Sequence, residues 1–297
     1  MKVSLKTFGF LLLFSFNFST FAHSINEGMR LFEAGHYKEA MARFMKPDAQ
    51  KNPDVLNHIG YMYNKGLGVE KNWQTGAQWY EKAAEMGFRV AQYNVGVAYE
   101  KGHGVQKNIP KALKWFSKSA EQGYAKAEAK MGYYTVTGTG VKQDFGEALR
   151  WYRRAAEHGD IASYADIGHF YADGNGVKKD KNRAAQYYIM GAEKGDPEAQ
   201  YWLGRAYQLG RGIKHDSARA LYWLNRAADN GNTLAMDALT RIYNSGALDQ
   251  PIDHELAARW AEKAIETRKQ TGESDPDLVK RLRFFGVDVD RMKKPHE

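Results

Sequence analysis

The sequence predicts an all-α protein, an α-solenoid of stacked helix pairs, and three observations support this prediction. The first is a repeat, because glycines recur with a period of 36 residues. A fixed period between about 20 and 50 residues is typical of arrays in which each unit packs on its neighbours. The second is a pair of further glycines after each repeated glycine, and the third is a row of aromatic residues in the second half of each unit. The repeated glycines are Gly60, Gly96, Gly132, Gly168 and Gly204.

The composition is that of a folded chain, and it excludes the chemistry that depends on cysteine. Of its 297 residues, 43% are apolar and 26% are charged, which indicates a globular rather than a disordered protein. The chain has no cysteine, which excludes disulfides, thiol catalysis and cysteine metal sites. The formal net charge of +8 is a mild bias towards anionic partners such as acidic proteins or envelope polymers, although solubility alone also accounts for it.

Residues 1–22 have the pattern of a signal peptide. Lys2 and Lys6 precede an uncharged run over residues 8–21, and Ala22 is a small residue suited to cleavage before His23. The alternative is a membrane anchor, which needs about 20 apolar residues. This run is shorter and contains polar residues. We therefore expect a cleaved chain in the periplasm or secreted, without stable membrane insertion.

Residues 23–52 form a first unit of a different kind. They predict two short amphipathic helices on either side of Gly35. This unit resembles a tetratricopeptide-type helix pair and is expected to act as the N-terminal cap. Asn52 followed by Pro53 predicts the start of the next helix, because asparagine is a favoured N-cap and proline a favoured first helical residue.

Six repeats are then predicted, each of them a helix, a glycine turn, a second helix and a second glycine turn. A glycine inside a helix costs roughly 1 kcal/mol against alanine, so five copies in register indicate close approach of the paired helix. The first turn glycine is expected to end the first helix in a left-handed conformation. The repeats span residues 53–88, 89–124, 125–160, 161–196, 197–232 and 233–268.

Two further rows of residues define the second helix of each repeat. Asparagine or aspartate precedes it and predicts an N-cap, at Asn72, Asn108, Asp144, Asp180 and Asp216. A row of large aromatic residues is followed five positions later by alanine, which predicts that neighbouring repeats interlock. The aromatic row is Trp79, Trp115, Trp151, Tyr187 and Trp223.

The sixth repeat departs from the others and marks the end of the array. Thr240 stands where the helix glycine is expected, and terminal repeats are commonly atypical because one face meets water. Residues 269–297 are expected to form a C-terminal capping helix, over residues 276–285, and a tail.

The repeat unit resembles the Sel1-like repeat. The pattern G-x-x-Y-x-x-G-x-G-V followed by A-L-x-W-F-x-x-x-A-E-x-G lies between Gly96 and Gly123. The resemblance covers about residues 53–268 and implies a right-handed superhelix of helix pairs similar to tetratricopeptide proteins. It also implies an exported adaptor that binds another protein in envelope regulation, motility or contact with a host. Some cysteine-rich members bind or hydrolyse penicillin-type antibiotics, but the cysteines of that group are missing here.

Signals for catalysis, cofactors or metals are weak. The nine histidines include no pair four residues apart, and His254-Glu255 lacks the second histidine of a zinc protease helix. No G-x-S-x-G or S-x-x-K motif is present. The G-x-G turns follow helices, whereas a dinucleotide site needs a strand before the glycines. We therefore predict a non-catalytic protein without cofactor, metal or nucleic-acid partner, and the alternative is a protein that binds or hydrolyses cell-wall fragments or β-lactams.

A partner protein or peptide is expected in the concave groove, which the first helix of each pair lines in helix-pair superhelices. Positions three before and one after the repeated glycine share one helix face, together with positions a turn further on. They vary between repeats and include tyrosine and arginine, which are enriched at interface hot spots, although some tyrosines could instead pack between repeats. The predicted groove residues are Asn57, Tyr61, Asn64, Tyr93, Val97, Tyr133, His169, Tyr201, Arg205, Gln208, Asp237, Arg241 and Asn244.

A second candidate surface is the edge that follows the glycine pairs. It carries lysines that could meet an anionic envelope polymer, and a solvated edge is the alternative. The lysines are Lys71, Lys107, Lys142, Lys178, Lys179 and Lys214.

Overall fold

The computed structural model describes residues 25–272, and this part of the chain is helical without any β-strand. It divides into two compact units, one ending at Gln143 and the other beginning at Asp144. The predicted all-α class of stacked helix pairs is confirmed. The predicted signal peptide and C-terminal helix lie outside the described residues.

The first unit contains a helix at residues 25–33, here α1, and six further α-helices. After α2 comes a single turn of 3₁₀ helix, Ala49–Lys51. The α-helices are α2 (Tyr37–Phe44), α3 (Pro53–Lys65), α4 (Trp73–Glu85), α5 (Arg89–Lys101), α6 (Ile109–Glu121) and α7 (Ala125–Thr137).

The second unit begins with α8 and continues with three helix pairs. Within each pair the two helices pack on one another, and the second of one pair packs on the first of the next. The helices are α8 (Phe145–Glu157), α9 (Ser163–Asp173), α10 (Lys181–Glu193), α11 (Pro197–Leu209), α12 (Ser217–Asp229), α13 (Thr233–Ser245) and α14 (His254–Thr271).

The second helices start where the sequence predicts. Asn72, for example, accepts a hydrogen bond from the backbone N–H of Thr75 at 2.9 Å, so its side chain satisfies one of the free donors of the first turn. The side chains of Asn108, Asp144, Asp180 and Asp216 cap α6, α8, α10 and α12 in the same way.

The first helices end on glycines in the left-handed conformation, as predicted. Gly66 closes α3 with φ +73°, a conformation that costs other residues more than glycine. Gly102, Gly138, Gly174 and Gly210 close α5, α7, α9 and α11 in the same conformation.

The repeated glycine allows the two helices of a pair to approach closely. A β-carbon built on Gly96 would lie 2.5 Å from Cε1 of Phe116 on α6, far inside van der Waals contact. Tyr80 and Leu224 occupy the same position against Gly60 and Gly204, at 2.7 and 2.8 Å. The close approach is therefore confirmed, but the side chain that covers the glycine comes one residue after the aromatic row of the sequence.

The tryptophans of the aromatic row pack between repeats. Trp79 and Trp115 both lie against a cluster that contains Ala83, Ala84 and Ala91. Cations from the next helical turn lie over the rings, with Lys82 Nζ 4.1 Å from the Trp79 ring and the equivalent residues over Trp115 and Trp151. The large-against-small packing that the sequence predicts is present in the first unit.

The N-terminal helices bury an apolar cluster against the first repeat. Met41 and Phe44 of α2 lie in one core with Ile59 and Met62 of α3. Phe44 is fully buried. None of the helices within residues 25–272 is long and apolar enough to cross a bilayer.

Candidate binding sites on the first helices

The first helices of the first unit carry two exposed tyrosines. Tyr61 on α3 is 40% exposed and Tyr133 on α7 is 52% exposed. Both follow the repeated glycine, so they occupy the same register position, and Val97 is the equivalent residue on α5. Val97 is half-buried and packs on a cluster around Phe116. The two tyrosines are the large side chains of this row that solvent can reach.

The other predicted residues of the first unit contribute to packing. Asn57 is buried and its Oδ1 accepts a hydrogen bond from Asn94 Nδ2 at 2.8 Å, which joins α3 to α5. The Tyr93 ring lies 5.7 Å from the Phe116 ring and 5.3 Å from the Tyr124 ring. Asn64 lies against Gly76, where a β-carbon would collide with it.

The second unit contains a pocket of about 460 Å³ formed by α9, α10 and α11. Two residues predicted from the sequence, His169 and Arg205, are brought together in it. Both follow a repeated glycine, so the pocket occupies the same register position on the first helices as Tyr61 and Tyr133 do in the first unit. Its lining residues are His169, Ala172, Asp173, Lys179, Lys181, Ala184, Tyr188, Trp202, Arg205, Ala206, Leu209 and Arg211.

His169 is held in place from three sides. Its Nδ1 lies 3.1 Å from the Tyr188 hydroxyl and its Nε2 lies 3.4 Å from a carboxylate oxygen of Glu198. In the neutral ring these partners select the tautomer in which Tyr188 donates to Nδ1 and Nε2–H donates to Glu198. The Trp202 ring meets the imidazole edge-on at 4.9 Å between centroids.

Two carboxylates behind the pocket have opposite pKa shifts. The hydrogen bond from His169 lowers the pKa of Glu198, against the effect of burial. Burial raises the pKa of Asp166 to about 7, and the nearby charge of Glu198 adds to this rise. Glu198 therefore stays ionised as the partner of His169, and Asp166 is close to half-protonated at neutral pH.

The pocket carries an excess of positive charge. Lys179, Lys181, Arg205 and Arg211 line it, and Asp173 is the one carboxylate of the lining, so the lining has four cationic side chains against one carboxylate. Within residues 25–272, no carboxylate lies within 4.0 Å of these four cationic groups. Arg205 donates instead to the neutral amide oxygen of Gln208, at 2.5 Å.

The remaining predicted residues of the second unit lie deeper or towards α14. Tyr201 is buried, with 7% of its surface exposed, in a core cluster with Leu224 and Met236. Asp237 on α13 is held by Arg268 of α14. Arg241 and Asn244 are half-buried on α13, and Asn244 Oδ1 lies 2.7 Å from His254 Nδ1.

Sequence reasoning missed the aromatic walls of the pocket. Tyr188 comes one residue after Tyr187, which is the member of the aromatic row, so the row did not include it. Trp202 lies two residues before Gly204. Tyr188 could have been found, because a side chain of the second helix must cover the helix glycine Gly168. Of the predicted lysine edge, Lys179 lines the pocket. In the described part of the chain, no group of three or more His, Asp or Glu residues is placed to hold a metal ion.

Comparison with known proteins identifies the repeat. The family model described as Sel1 repeat matches residues 53–88, 89–124, 125–160, 161–196, 197–232 and 234–266. The chain is 39% identical over 61 residues to the sel1-like repeat-containing protein L21 of Acanthamoeba polyphaga mimivirus. That match covers 20% of this chain and 11% of the viral protein.

Two solved structures share the architecture. A Sel1 repeat protein from Oxalobacter formigenes is 56% identical with a TM-score of 0.79, covering 81% of this chain and 96% of that one. The uropathogenic Escherichia coli protein c5321, described as a protective antigen with an SLR fold, is 25% identical with a TM-score of 0.64. That match covers 99% of this chain and 73% of the c5321 chain. With six matched repeats over most of its length, the chain belongs to the Sel1 repeat family.

Proposed function

We propose that the protein is an exported, non-catalytic adaptor that binds a segment of a partner protein through the first helices of its repeats. The observation that carries the proposal is the row of residues after the repeated glycine. In the first unit this row exposes Tyr61 and Tyr133, and in the second it places His169 and Arg205 in a pocket. Sel1 repeat solenoids are commonly protein-interaction scaffolds.

The residue types of this row support protein binding. Tyrosine and arginine are over-represented among residues that dominate interface energies, because each offers a large apolar surface and a polar end. Tyr61 and Tyr133 are 40% and 52% exposed, so each presents a large part of its ring to solvent. The exposed part of each ring is therefore available to a partner.

Export is supported by the pattern of residues 1–22, since charge, an uncharged run and a small residue occur in the order that signal peptidase requires. The similarity to c5321 supports it further, because that protein is described as a protective antigen. Mass spectrometry of the protein expressed in a bacterium should show a chain that begins at His23. A full-length chain in the cytosolic fraction would overturn export.

The adaptor proposal is tested with the tyrosine row. The mature chain is used as bait in extract of the source organism, the retained protein is identified, and its binding is measured with both proteins purified. We expect the Tyr61→Ala/Tyr133→Ala variant to lose at least about tenfold in affinity, the scale of a hot-spot pair. Tyr222→Ala is the matched control, because Tyr222 is 52% exposed but lies on the second helix α12.

Two outcomes would overturn the proposal. One is a partner that binds the Tyr61→Ala/Tyr133→Ala variant as tightly as the wild type, with both proteins folded by circular dichroism. The other is turnover of cell-wall fragments or of a chromogenic penicillin that survives stringent purification of the protein. Loss in the double variant with an unchanged Tyr222→Ala control supports binding through the first helices.

A further inference from the structure

We infer that the pocket formed by α9, α10 and α11 binds a carboxylate that a partner peptide carries beside an apolar side chain. That the ligand is a peptide rests on the proposed function. The inference adds which chemical groups of the peptide this pocket binds. The carboxylate meets Arg205 and Arg211, and the apolar side chain lies against Trp202 and Leu209.

The charges of the pocket favour an anion. Two arginines at the starts of α10 and α12 each have a carboxylate of their own, Arg183 with Asp180 at 3.5 Å and Arg219 with Asp216 at 3.5 Å. The four lining cations do not have one within 4.0 Å in the described residues. Like charges gathered around a concave surface raise the local potential, and an incoming carboxylate lowers it. Arginine is suited to this role because its guanidinium binds both oxygens of a carboxylate.

The walls of the pocket favour an apolar group beside that anion. Trp202 and Tyr188 stack with centroids 6.3 Å apart and an interplanar angle of 23°, so they form a continuous aromatic surface. Leu209 also lines the pocket and is 43% exposed, so it adds accessible apolar surface to the lining. A volume of about 460 Å³ lies within the range of roughly 300–1,000 Å³ that holds small ligands or a few side-chain groups.

The walls are fixed before any ligand arrives. A β-carbon on Gly168 would collide with the Tyr188 ring, so the glycine lets that ring lie directly on α9. The contacts of His169 with Tyr188 and Glu198 then link α9 to both α10 and α11. Glu198 contacts His169 and, in the part of the chain that the structure describes, makes no ion pair with the four lining cations, so these remain available to a ligand. Fixed walls lower the entropy cost of binding.

Two kinds of peptide carry this chemistry, namely a chain that ends in an apolar residue and a chain with an internal acidic residue beside one. Four labelled peptides of equal length distinguish them. One ends in phenylalanine with a free carboxylate and one is its amide. One has an internal glutamate beside phenylalanine and an amide end, and the last has glutamine in place of that glutamate. Binding to the full mature protein is measured by fluorescence anisotropy at low and high salt.

We expect saturable binding of at least one acidic probe, weaker at high salt because the charges are partly exposed. Binding of the free acid but not its amide assigns a chain terminus, and binding of the glutamate but not the glutamine peptide assigns an internal acidic residue. Arg205→Gln and Arg211→Gln should each weaken the acidic probe by about tenfold, the loss expected for a hydrogen bond to a charged group. Leu209→Glu should also abolish binding, through repulsion.

Arg226→Gln is the matched control, since it removes one positive charge from an exposed position of α12 that does not line the pocket. Its affinity for the acidic probe should stay unchanged. The inference is overturned by neutral probes that bind as well as acidic ones, by the absence of saturable acidic binding, or by full affinity in an Arg205→Gln/Arg211→Gln variant whose melting temperature matches the wild type.

The probes separate this inference from the adaptor proposal. If acidic peptides fail to bind while a captured protein still depends on Tyr61 and Tyr133, the pocket assignment is wrong and the adaptor function stands. If the acidic peptides bind as expected while the tyrosine variant keeps full affinity for every partner, the pocket stands and the adaptor proposal fails.

Discussion

Asp237 on α13 and Arg268 on α14 are joined by two parallel hydrogen bonds. Arg268 NH1 donates to Oδ1 at 3.1 Å and NH2 donates to Oδ2 at 2.8 Å. The Arg268 side chain is 4% exposed and the Asp237 side chain 13% exposed, so the pair lies in the packing between the last two helices. Asp237, which the sequence predicts to contact a partner, therefore also joins α13 to α14.

Removing the carboxylate of this pair should destabilise the protein strongly. Asp237→Ala removes the carboxylate that pairs with a buried guanidinium, and breaking a buried pair costs about 3–5 kcal/mol in free energy of unfolding. Chemical denaturation measures the change. The matched control is Glu255→Ala, which breaks the exposed pair with Arg259 on the same helix, where the side chains are 80% and 66% exposed. That change should cost less than about 1 kcal/mol.

A double substitution tests whether the charge or the packing matters at this site. Asp237→Leu/Arg268→Met removes both charges and keeps apolar volume, and such replacements are often close to neutral. We expect the double variant to recover most of the stability that Asp237→Ala loses. A double variant as unstable as the single one would show that the cost comes from lost packing.

Glu100 makes the first unit sensitive to acid. Its Oε1 accepts hydrogen bonds from Lys130 Nζ at 2.8 Å and from the Tyr134 hydroxyl at 2.7 Å, which ties α5 to α7. Burial raises the pKa of Glu100, but the hydrogen bonds from Lys130 and Tyr134 outweigh it, so the net pKa is below the usual value of 4.5. The contact therefore stabilises the fold above the unfolded pKa and is lost as the pH falls through the lower folded pKa.

Glu100→Gln should lower the free energy of unfolding at pH 7 by about 1–3 kcal/mol, because it removes the charge from two charge-assisted bonds. The difference between variant and wild type should shrink as the pH falls from 5 to 3. Urea denaturation over this range measures it, with exposed Glu85→Gln as the control. A difference that does not change with pH would contradict the ionised pairing.

The pKa of Asp166 is shifted in the opposite direction to that of Glu100. Burial raises its pKa from 3.8 to about 7, and the charges of Glu198, Asp160 and Asp196 add to the rise while His169 opposes it. The folded state thus binds the proton more tightly than the unfolded state. Its contribution to stability is full below pH 3.8 and is lost as the pH rises to about 7.

Asp166→Asn should therefore stabilise the protein at pH 8, since it keeps the shape of the side chain without the buried charge. The gain is at most about 4 kcal/mol, the equivalent of the whole pKa shift. It should fade as the pH falls below 3.8, where the wild-type carboxyl becomes protonated in both states. Thermal unfolding at pH 8 and pH 3 measures it, and a variant less stable than the wild type at pH 8 would contradict the raised pKa of Asp166.

The sequence predicted the scaffold well because its determinants are local. An N-cap such as Asn72 or a C-cap such as Gly66 acts within a few residues, and the 36-residue period repeats each signal. The pocket could not be predicted in the same way. Trp202, Tyr188 and Arg211 come from two helices and a loop, and only packing brings them together.

The position of a residue within its repeat also did not predict whether that residue is exposed or buried. Tyr201 and Tyr93 occupy the same place in their repeats, three residues before the glycine, yet Tyr201 is buried and Tyr93 is half-buried. The difference depends on neighbouring side chains, such as Phe116 and Tyr124 beside Tyr93 and Met236 beside Tyr201. The position after the glycine was the better guide to exposure in the first unit, since Tyr61 and Tyr133 are exposed there.

The repeated glycine itself gives the last prediction. Gly96→Ala would place a β-carbon 2.5 Å from the Phe116 ring, and Phe116 is fully buried, so the ring cannot move without disturbing the core. We expect a loss of about 1–3 kcal/mol in free energy of unfolding, the usual cost of overpacking, in spite of the better helix propensity of alanine. Gly146→Ala is the control, because Gly146 also lies in a helix but its β-carbon would meet only Asp144 Oδ1 at 3.4 Å. That variant should be neutral or slightly more stable, and equal effects of the two substitutions in urea denaturation would contradict the role of Gly96 in helix approach.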